Sequence, residues 1–415
     1  LARFDWVVSV LVVRSGSPRI AYLFTTFPQP TETFLQREVT AMIGQGFEVE
    51  MYSLFGGGGT FAGRSVTKFS MWRLIELIWI IPWVAVSRWD VFGILWHGLW
   101  TRRAPGWLNF WENMLGAGFA GVFYPSFRRN PPDWIHAAWS GAPATAAWIL
   151  NRLNRQPYSA AAHAYDIYEH GGDWWLLEKL ADARFIHTST AMGETSLIEK
   201  GVDAAKIHLI RRGMEDFPPC RPLRADRSHL NLVCIARLVA KKGLDHQLET
   251  YGVLRDQGVN FTAHIIGEGP ERRRLERQLV KLNLGDRVHL TGHLDQAEVW
   301  QHLGAADALL HTGVIAPSGD RDGLPNVIPE AMIAGVLVLT SPHAATTEAI
   351  SDGQTGWVLP VGQPELWASR LSALQGATDE IDQVRQAARA WVEANYNGAR
   401  NAARLSSLFA KEISS

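Results

Sequence analysis

LNLVCIARLVAKKGLDHQLETYGVLRDQGVNFTAHIIG, Leu230 to Gly267, contains one full repeat of the chain's architecture. LNLVCIA (230–236) is an apolar run of buried-strand length. Residues 243–257 have helical spacing, and FTAHIIG (261–267) is a second apolar run. Two such strands joined by a helical crossover read as a parallel βαβ unit. The pattern then repeats: a helix over 270–282, a strand in RVHLTG (287–292), a helix over 295–304, a strand in ADALLHT (306–312), a loop and helix in SGDRDGLPNVIPEAMIAG (Ser318–Gly335), and a strand in VLVLT (336–340). Strands alternating with helices predict a doubly wound α/β domain over 229–378. Helices follow over 379–415 and are expected to cross back to the first domain.

Upstream, FPPCRP (217–222) packs three prolines into six residues and marks a linker, taken as 218–228. The segment before it, 18–217, opens the same way. RIAYLF (19–24) is a strand, and TTFPQPTETF leads into a helix ending near Gly44. FEVEMYSL (47–54) alternates as a second strand. Thr31 or Thr33 is the expected helix cap, with Glu32 at the helix's positive end. GGGG (56–59) reads as a flexible break. DWIHAAW (133–139) and YSAAAHAYDIYEHGGD (158–173) resume the sheet, the latter ending in a loop with His163, Asp166 and His170.

Between them, 71–127 is an insertion of different character. Trp72, Trp79, Trp83, Trp89, Trp96 and Trp100 are interspersed with Arg73, Arg88, Arg102 and Arg103. Its longest nearly apolar run, Leu77–Val86, is broken by Pro82 and is too short to span a bilayer. Tryptophan mixed with arginine fits helices lying in a membrane interface, a reading compatible with packing on the sheet. Residues 1–17 are treated as an appendage. WVVSVLVV (6–13) with Arg3 ahead resembles a short signal core, without a small-residue cleavage site.

The whole chain narrows the function classes. At 415 residues it has room for two domains. A net charge of −1 argues against a nucleic-acid binder. Cys220 and Cys234 form no CxxC pair, so neither a disulfide framework nor a cysteine zinc site is expected, and a reducing compartment fits.

The candidate chemistry lies at strand ends in the second domain. Arg237 follows the first strand's carboxyl end, where open α/β sheets bind ligands. Lys242 stands at the next helix start beside Gly243, and two cations with helix amides suit a diphosphate. In Ser318–Gly335, Asp322 is expected at a helix mouth and Glu330 two turns further in, with Pro325 in the first turn. Gly267, in GEGP, frees the backbone for a close approach. Arg211, Arg212 and Gly213 are expected to face the cleft from the first domain.

RLVAKKG, then SGDRDGLPNVIPEAMIAG, then ISDGQTGWVL, in this order and spacing, resemble a family 4 retaining glycosyltransferase of the GT-B fold. The likeness covers nearly all of the chain after residue 18. FTTFPQPTETFLQREV and SAAAHAYDIY resemble its bacterial exopolysaccharide, colanic-acid-type branch. The resemblance implies two Rossmann-like domains facing a cleft. It implies transfer of a sugar from a nucleotide diphosphate sugar to a glycan or lipid-linked acceptor; a cytoplasmic location is expected, and the Trp/Arg region points to the inner face of the cytoplasmic membrane. By the same resemblance, Arg237 and Lys242 hold the donor diphosphate. Glu330 binds the donor ribose, and Asp322, where relatives have Glu, stands near the transferred sugar. Leu324 and Asn326 offer backbone amides, Gly267 borders the base, and His163 lies against the sugar. Thr31, Glu32, Thr33, Asp166 and Arg212 are the acceptor-side candidates. No cofactor and no metal are expected; the spacing of His163, Asp166 and His170 is not that of a strong metal site. Two other readings stand beside this one: a nucleotide-sugar sensor without catalysis, and a nucleotide-sugar epimerase, which fits the motif spacing poorly.

Overall fold

The computed structural model describes residues 17–414 except Pro30, Thr31, Arg102, Glu215, Asp216 and Ala377. The proposed acceptor residue Thr31, most of the amino-terminal appendage, and Arg102 of the Trp-rich insertion therefore lie outside the described residues.

The first sheet contains β1 (Arg19–Phe24), β2 (Glu48–Ser53), β3 (Gly59–Phe61), β4 (Arg64–Lys68), β5 (Trp134–Ala137), β6 (Tyr158–Ala161), β7 (Ile186–Thr188) and β8 (Ile207–Leu209), in the order β3-β4-β2-β1-β5-β6-β7-β8. Every pairing is parallel except the β3–β4 hairpin. The second sheet contains β9 (His229–Ile235), β10 (Asn260–Ile266), β11 (Val288–Gly292), β12 (Ala308–His311), β13 (Leu337–Thr340) and β14 (Trp357–Val358). Its order is β11-β10-β9-β12-β13-β14, parallel throughout. The order in which successive strands are added to the sheet reverses between β9 and β12, and in the first sheet between β1 and β5. Crevices at such switch points are where doubly wound sheets take ligands. The apolar runs that predicted strands are buried on both faces: Ile20–Phe24 and Ala308–Leu310 are almost fully inaccessible.

Four local expectations are corrected. Gly56–Gly59 is not a bare break; it leads into the β3–β4 hairpin, whose polar sequence RSVTK hides its strand character. Thr33 does not cap its helix. It is the first residue of Thr33–Gly44, Glu32 occupies the cap position, and no side chain accepts a capping bond there. The helix of the acidic motif runs Val327–Ala334, so Glu330 sits in its first turn rather than two turns in. Pro325 and Asp322 precede that helix in the loop, and Pro329 is the proline inside it. In the 71–127 insertion, Met71–Glu76, Leu77–Ser87 and Trp89–Thr101 form short helices ahead of a long one, Trp107–Arg129. The long helix buries its second half against Ala142–Asn154, while the tryptophans of the short ones face outward.

The chain crosses between domains twice, and the crossings touch. Helix Thr378–Asn395 packs on the second domain through Ile381, Val384, Ala388 and Val392. After a break at Tyr396–Asn397, helix Gly398–Ser414 lies on the first, with Phe409 among Tyr22, Trp134 and Phe185. Met214 N–H donates to the Tyr396 carbonyl at 2.9 Å and Gly398 N–H to the Met214 carbonyl at 3.0 Å. A Cβ on Gly213 would lie 2.2 Å from Gly398 Cα, so the two strands of this hinge approach closely only because both residues are glycine. Gly213→Ala must therefore push the crossings apart, at an expected cost of about 1–3 kcal/mol. Urea unfolding measures it, and an unchanged midpoint would contradict the close contact.

Candidate active site

The acidic loop of the second domain leans on the first. His170 N–H donates to the Ser318 carbonyl at 2.7 Å. The Arg321 guanidinium lies 4.2 Å over the Tyr168 ring. Arg211 pairs with Glu348 at 2.6 Å, and the other oxygen of Glu348 accepts from Met192 N–H at 2.7 Å, at the start of helix Ala191–Glu199. Glu348, which the sequence reading passed over, is thus a clamp between domains; it lies in a short turn, Ala345–Glu348, with no motif around it.

The backbone prepares an anion site at the mouth of Val327–Ala334. The N–H groups of Gly323, Leu324, Asn326 and Val327 have no hydrogen-bond partner among the described residues. Such free amides, with the helix dipole behind them, favour a phosphate. The Leu324 side chain points away into the core with Val233 and Ile266, which fixes the loop. Across β9, Arg237 is exposed and its guanidinium forms no hydrogen bond or ion pair among the described residues. Its charge acts on Glu32 on the opposite wall.

Lys242 is not free in the same way. Its ammonium is 2.5 Å from Asp322 Oδ2, His311 Nε2 is 3.2 Å from the same oxygen, and Lys241 pairs with Asp320 at 2.8 Å and reaches Asp322 Oδ1 at 3.6 Å. Burial alone would raise the Asp322 carboxyl; the Lys242 charge, the His311 hydrogen bond and Lys241 outweigh it and hold the group far below the carboxylate range. Burial keeps His311 neutral, so its Nε2–H donates to Asp322. Asp322 is therefore locked to Lys242. The family resemblance implies a place near the transferred sugar; in the structure Asp322 anchors the cation and the loop.

Gly267 is also reassigned. Its φ is +141°, and a Cβ there would lie 2.0 Å from the Ala236 carbonyl oxygen. A Cβ on Gly269 would lie 2.4 Å from the Leu238 carbonyl oxygen. What approaches these glycines is the backbone of the Arg237 loop, so GEGP shapes that loop from behind.

Glu330 is largely withdrawn from solvent. Burial raises its carboxyl, partly offset by the charge of Arg37, and no hydrogen bond to it is found among the described residues. A buried carboxylate with open lone pairs is poised to accept from a hydroxylated ligand.

On the first-domain side, Arg212 is the central cation. Its guanidinium lies 3.7 Å over the Phe34 ring, its Nη1 is 3.3 Å from Asn326 Oδ1, and its Nε lacks a partner. Asn326 thus spends its side chain on the domain contact while its amide stays free. Burial raises the Glu32 carboxyl against the pull of Arg212, a Trp139 hydrogen bond and Arg237. Thr33 begins the helix beside it. His163 is buried among Phe34, Trp139 and His187, with its Nδ1 unpartnered. Burial and then Arg212 push its pKa well below the usual value, so the ring is neutral. Asp166 is corrected as an acceptor contact. It is fully inaccessible, accepts from Ser140 N–H at 3.0 Å, and braces the His163 loop from beneath. A cavity of about 430 Å³ opens beside His163, lined by Phe34, Arg37, Glu38, His187, Arg212 and the last helix.

Through the Arg212–Asn326 contact, the anion cradle of one domain meets a buried arginine and a neutral histidine of the other, groups suited to a phosphorylated, hydroxyl-rich ligand. Residues 223–391 match the family model Glycosyl transferases group 1. WcaL of Escherichia coli (strain K12), named for colanic acid biosynthesis, is 28% identical over 402 residues, 91% of this chain and 96% of WcaL. The amylovoran biosynthesis glycosyltransferase AmsK of Erwinia amylovora is 28% identical over 403 residues, with the same coverage of 91% and 96%. A GDP-mannose-dependent phosphatidylinositol monomannoside mannosyltransferase of Mycobacterium tuberculosis is 27% identical over 343 residues, 74% of this chain and 88% of that protein. Among solved structures, Anabaena HepE in complex with UDP and glucose superposes with a TM-score of 0.70 at 16% identity, covering 95% of this chain and all of HepE. The sucrose-phosphate synthase of Thermosynechococcus elongatus gives 0.71 at 16% identity, over 95% and 99% of the two chains. The architecture is that of the GT-B glycosyltransferases.

Proposed function

We propose that this chain, a glycosyltransferase with a group 1 domain, moves a sugar from a nucleotide diphosphate sugar to a glycan or lipid-linked acceptor in exopolysaccharide assembly. The observation that carries the reading is the set of unpaired amides of Gly323, Leu324, Asn326 and Val327 at a helix mouth, in the same domain as the unpaired Arg237 and a Glu330 with no hydrogen bond among the described residues. The diphosphate rests on those amides and Arg237, with Lys242 contributing from its pair with Asp322. Glu330 accepts from the vicinal hydroxyls of the donor ribose. Neutral His163 offers a ring nitrogen to the transferred sugar.

The bond from the anomeric carbon to the β-phosphate oxygen breaks, and charge builds on the departing diphosphate. Fixed donors stabilise that charge more than the ground state, which lowers the barrier. The acceptor oxygen bonds to the anomeric carbon on the face the phosphate leaves, and its proton passes to the leaving phosphate. Configuration is retained. Arg237, Lys242 and the amides supply the countercharge at the diphosphate, so this step calls on no metal. The domain contacts through His170, Arg212 and Glu348 close the cleft against water.

Radiolabelled donor with a lipid extract as acceptor tests the function. Wild-type protein should form a labelled glycan or glycolipid, and Arg237→Ala should lower the rate by roughly 10²–10³-fold. Binding of donor without product in the wild type would favour the sensor reading.

A membrane surface is the proposed workplace, at the cytoplasmic face. Trp72, Trp79, Trp100 and Trp107 are 90%, 79%, 76% and 76% exposed, an outward apolar display unusual for a solvated face. No single helix among the described residues is long and apolar enough to cross a membrane. Met71–Ser87 with Trp89–Thr101 passes that test only as a pair bent by 110°. Such short helices with tryptophan outward fit the headgroup boundary. Not all the arginines face it: Arg73 pairs with Glu76, and Arg88 pairs with Asp90 and is anchored on the carbonyls of Arg152 and Leu153. Flotation with anionic liposomes should carry the protein upward, and replacing Trp72, Trp79 and Trp100 by serine should leave it at the bottom.

A further inference from the structure

Glu38, His136 and His187 converge in the first domain beneath the cleft. They come from helix Thr33–Gly44, β5 and β7, and one ligand-type atom from each lies within 4.8 Å of the other two. His136 Nε2 is 3.3 Å from His187 Nε2 and 3.7 Å from Glu38 Oε1. Ligands bound at roughly 2.0–2.1 Å around a tetrahedral ion stand about 3.3–3.4 Å apart, the spacing the two imidazole nitrogens already have, and the Glu38 carboxylate turns toward them to complete the set. We propose that these three side chains bind one Zn²⁺-class divalent cation, with its fourth position open to the cavity.

Three observations support the site. The His136 ring is oriented from behind, its Nδ1 lying 2.8 Å from Ser159 Oγ, which also accepts from Trp134 Nε1 at 2.9 Å. With Nδ1–H donating to Ser159, the His136 Nε2 lone pair faces the cluster, the second-sphere arrangement of metal-binding histidines. Glu38 Oε1 is buried with no hydrogen-bond partner among the described residues. A hydrogen bond between the two imidazoles explains their 3.3 Å distance, yet leaves Glu38 Oε1 unsatisfied; a cation satisfies all three. Glu38 and His187 both line the 430 Å³ cavity, which gives the ion an entry path. Arg37 and Arg212 on the same wall favour an anionic oxygen in the fourth position. His163, Asp166 and His170, the grouping weighed from sequence, do not form such a cluster.

Tag-free protein equilibrated with Zn²⁺ and dialysed should retain about one zinc per chain by inductively coupled plasma mass spectrometry. Co²⁺ in its place should show the intense visible bands of a four-coordinate site. Glu38→Gln and His187→Gln should each bring zinc to background with native circular dichroism. Ser159→Ala, which spares the ligands, should weaken binding by roughly 10–100-fold. Should the ligand variants fail to fold, the wild-type cobalt spectrum decides, and weak octahedral bands overturn the site. Wild-type protein without zinc above background, or undiminished zinc in a folded Glu38→Gln/His187→Gln double variant, also overturns it. None of these readouts depends on sugar transfer.

Discussion

Glu330→Ala is expected to remove most transfer activity while leaving the fold as stable as before, or more so. The carboxylate is largely withdrawn from solvent with no hydrogen bond among the described residues, so the chain carries a desolvation cost that the Arg37 charge offsets only in part. In the proposed reading donor hydroxyls supply the missing partners, and two charge-assisted bonds at about 1.5–3 kcal/mol each would be lost. A fall in kcat/KM of roughly 10²–10⁴-fold follows. The stability side has a definite pH sign. The folded carboxyl is raised above its unfolded value of about 4.3, so the folded state holds the proton more tightly. Stability is therefore full below the unfolded value and is lost as pH rises through the folded one. Glu330→Gln, which cannot ionise, should melt higher than wild type at neutral pH and lose that advantage in acid. Near-wild-type turnover of Glu330→Ala with a productive donor would remove the ribose contact.

Much of the frame behind that prediction is legible in the letters. Buried parallel strands are continuous apolar runs, and LNLVCI, FTAHII and ALLH announce themselves in that way. Arg237 and the Ser318–Gly335 segment are legible because they sit at strand ends, where position alone implies a ligand-facing role. Polar strands are harder: RSVTK in the β3–β4 hairpin has one buried residue, Val66, and no alternation to detect. Proline misleads in the acidic motif, because Pro325 and Pro329 both suit a helix start and only packing decides between them. Pairing across distance is invisible altogether. Nothing in one dimension says that Asp322 binds Lys242, that Glu348 reaches Arg211, or that Glu38, His136 and His187 share a point. Those juxtapositions come from sheet order, which places β5 and β7 on either side of β6.

The Asp322–Lys242 pair gives the largest expected loss of stability, and it separates anchoring from catalysis. Both side chains are nearly buried, at 12% and 11% exposure. Removing one partner of such a pair strands the other charge and typically costs about 3–5 kcal/mol, whereas replacing both with apolar side chains is often neutral. Asp322→Ala should therefore melt far below wild type, since Lys242 and Lys241 then face each other beside a neutral His311. Because the folded carboxyl is depressed, the stability it contributes is present above its unfolded value of about 3.9. It is lost as pH falls through the folded one, so the gap between wild type and Asp322→Ala should narrow only in strong acid. Asp322→Leu combined with Lys242→Met should recover most of the melting temperature. If the pair only fixed the loop, that double variant would also recover transfer. Instead, the cation beside the amide cradle is expected to act on the departing diphosphate, so kcat should stay down by roughly 10²-fold or more in a folded protein. A double variant that is both stable and fully active would reduce Lys242 to a structural residue and leave Arg237 and the helix amides to carry the charge.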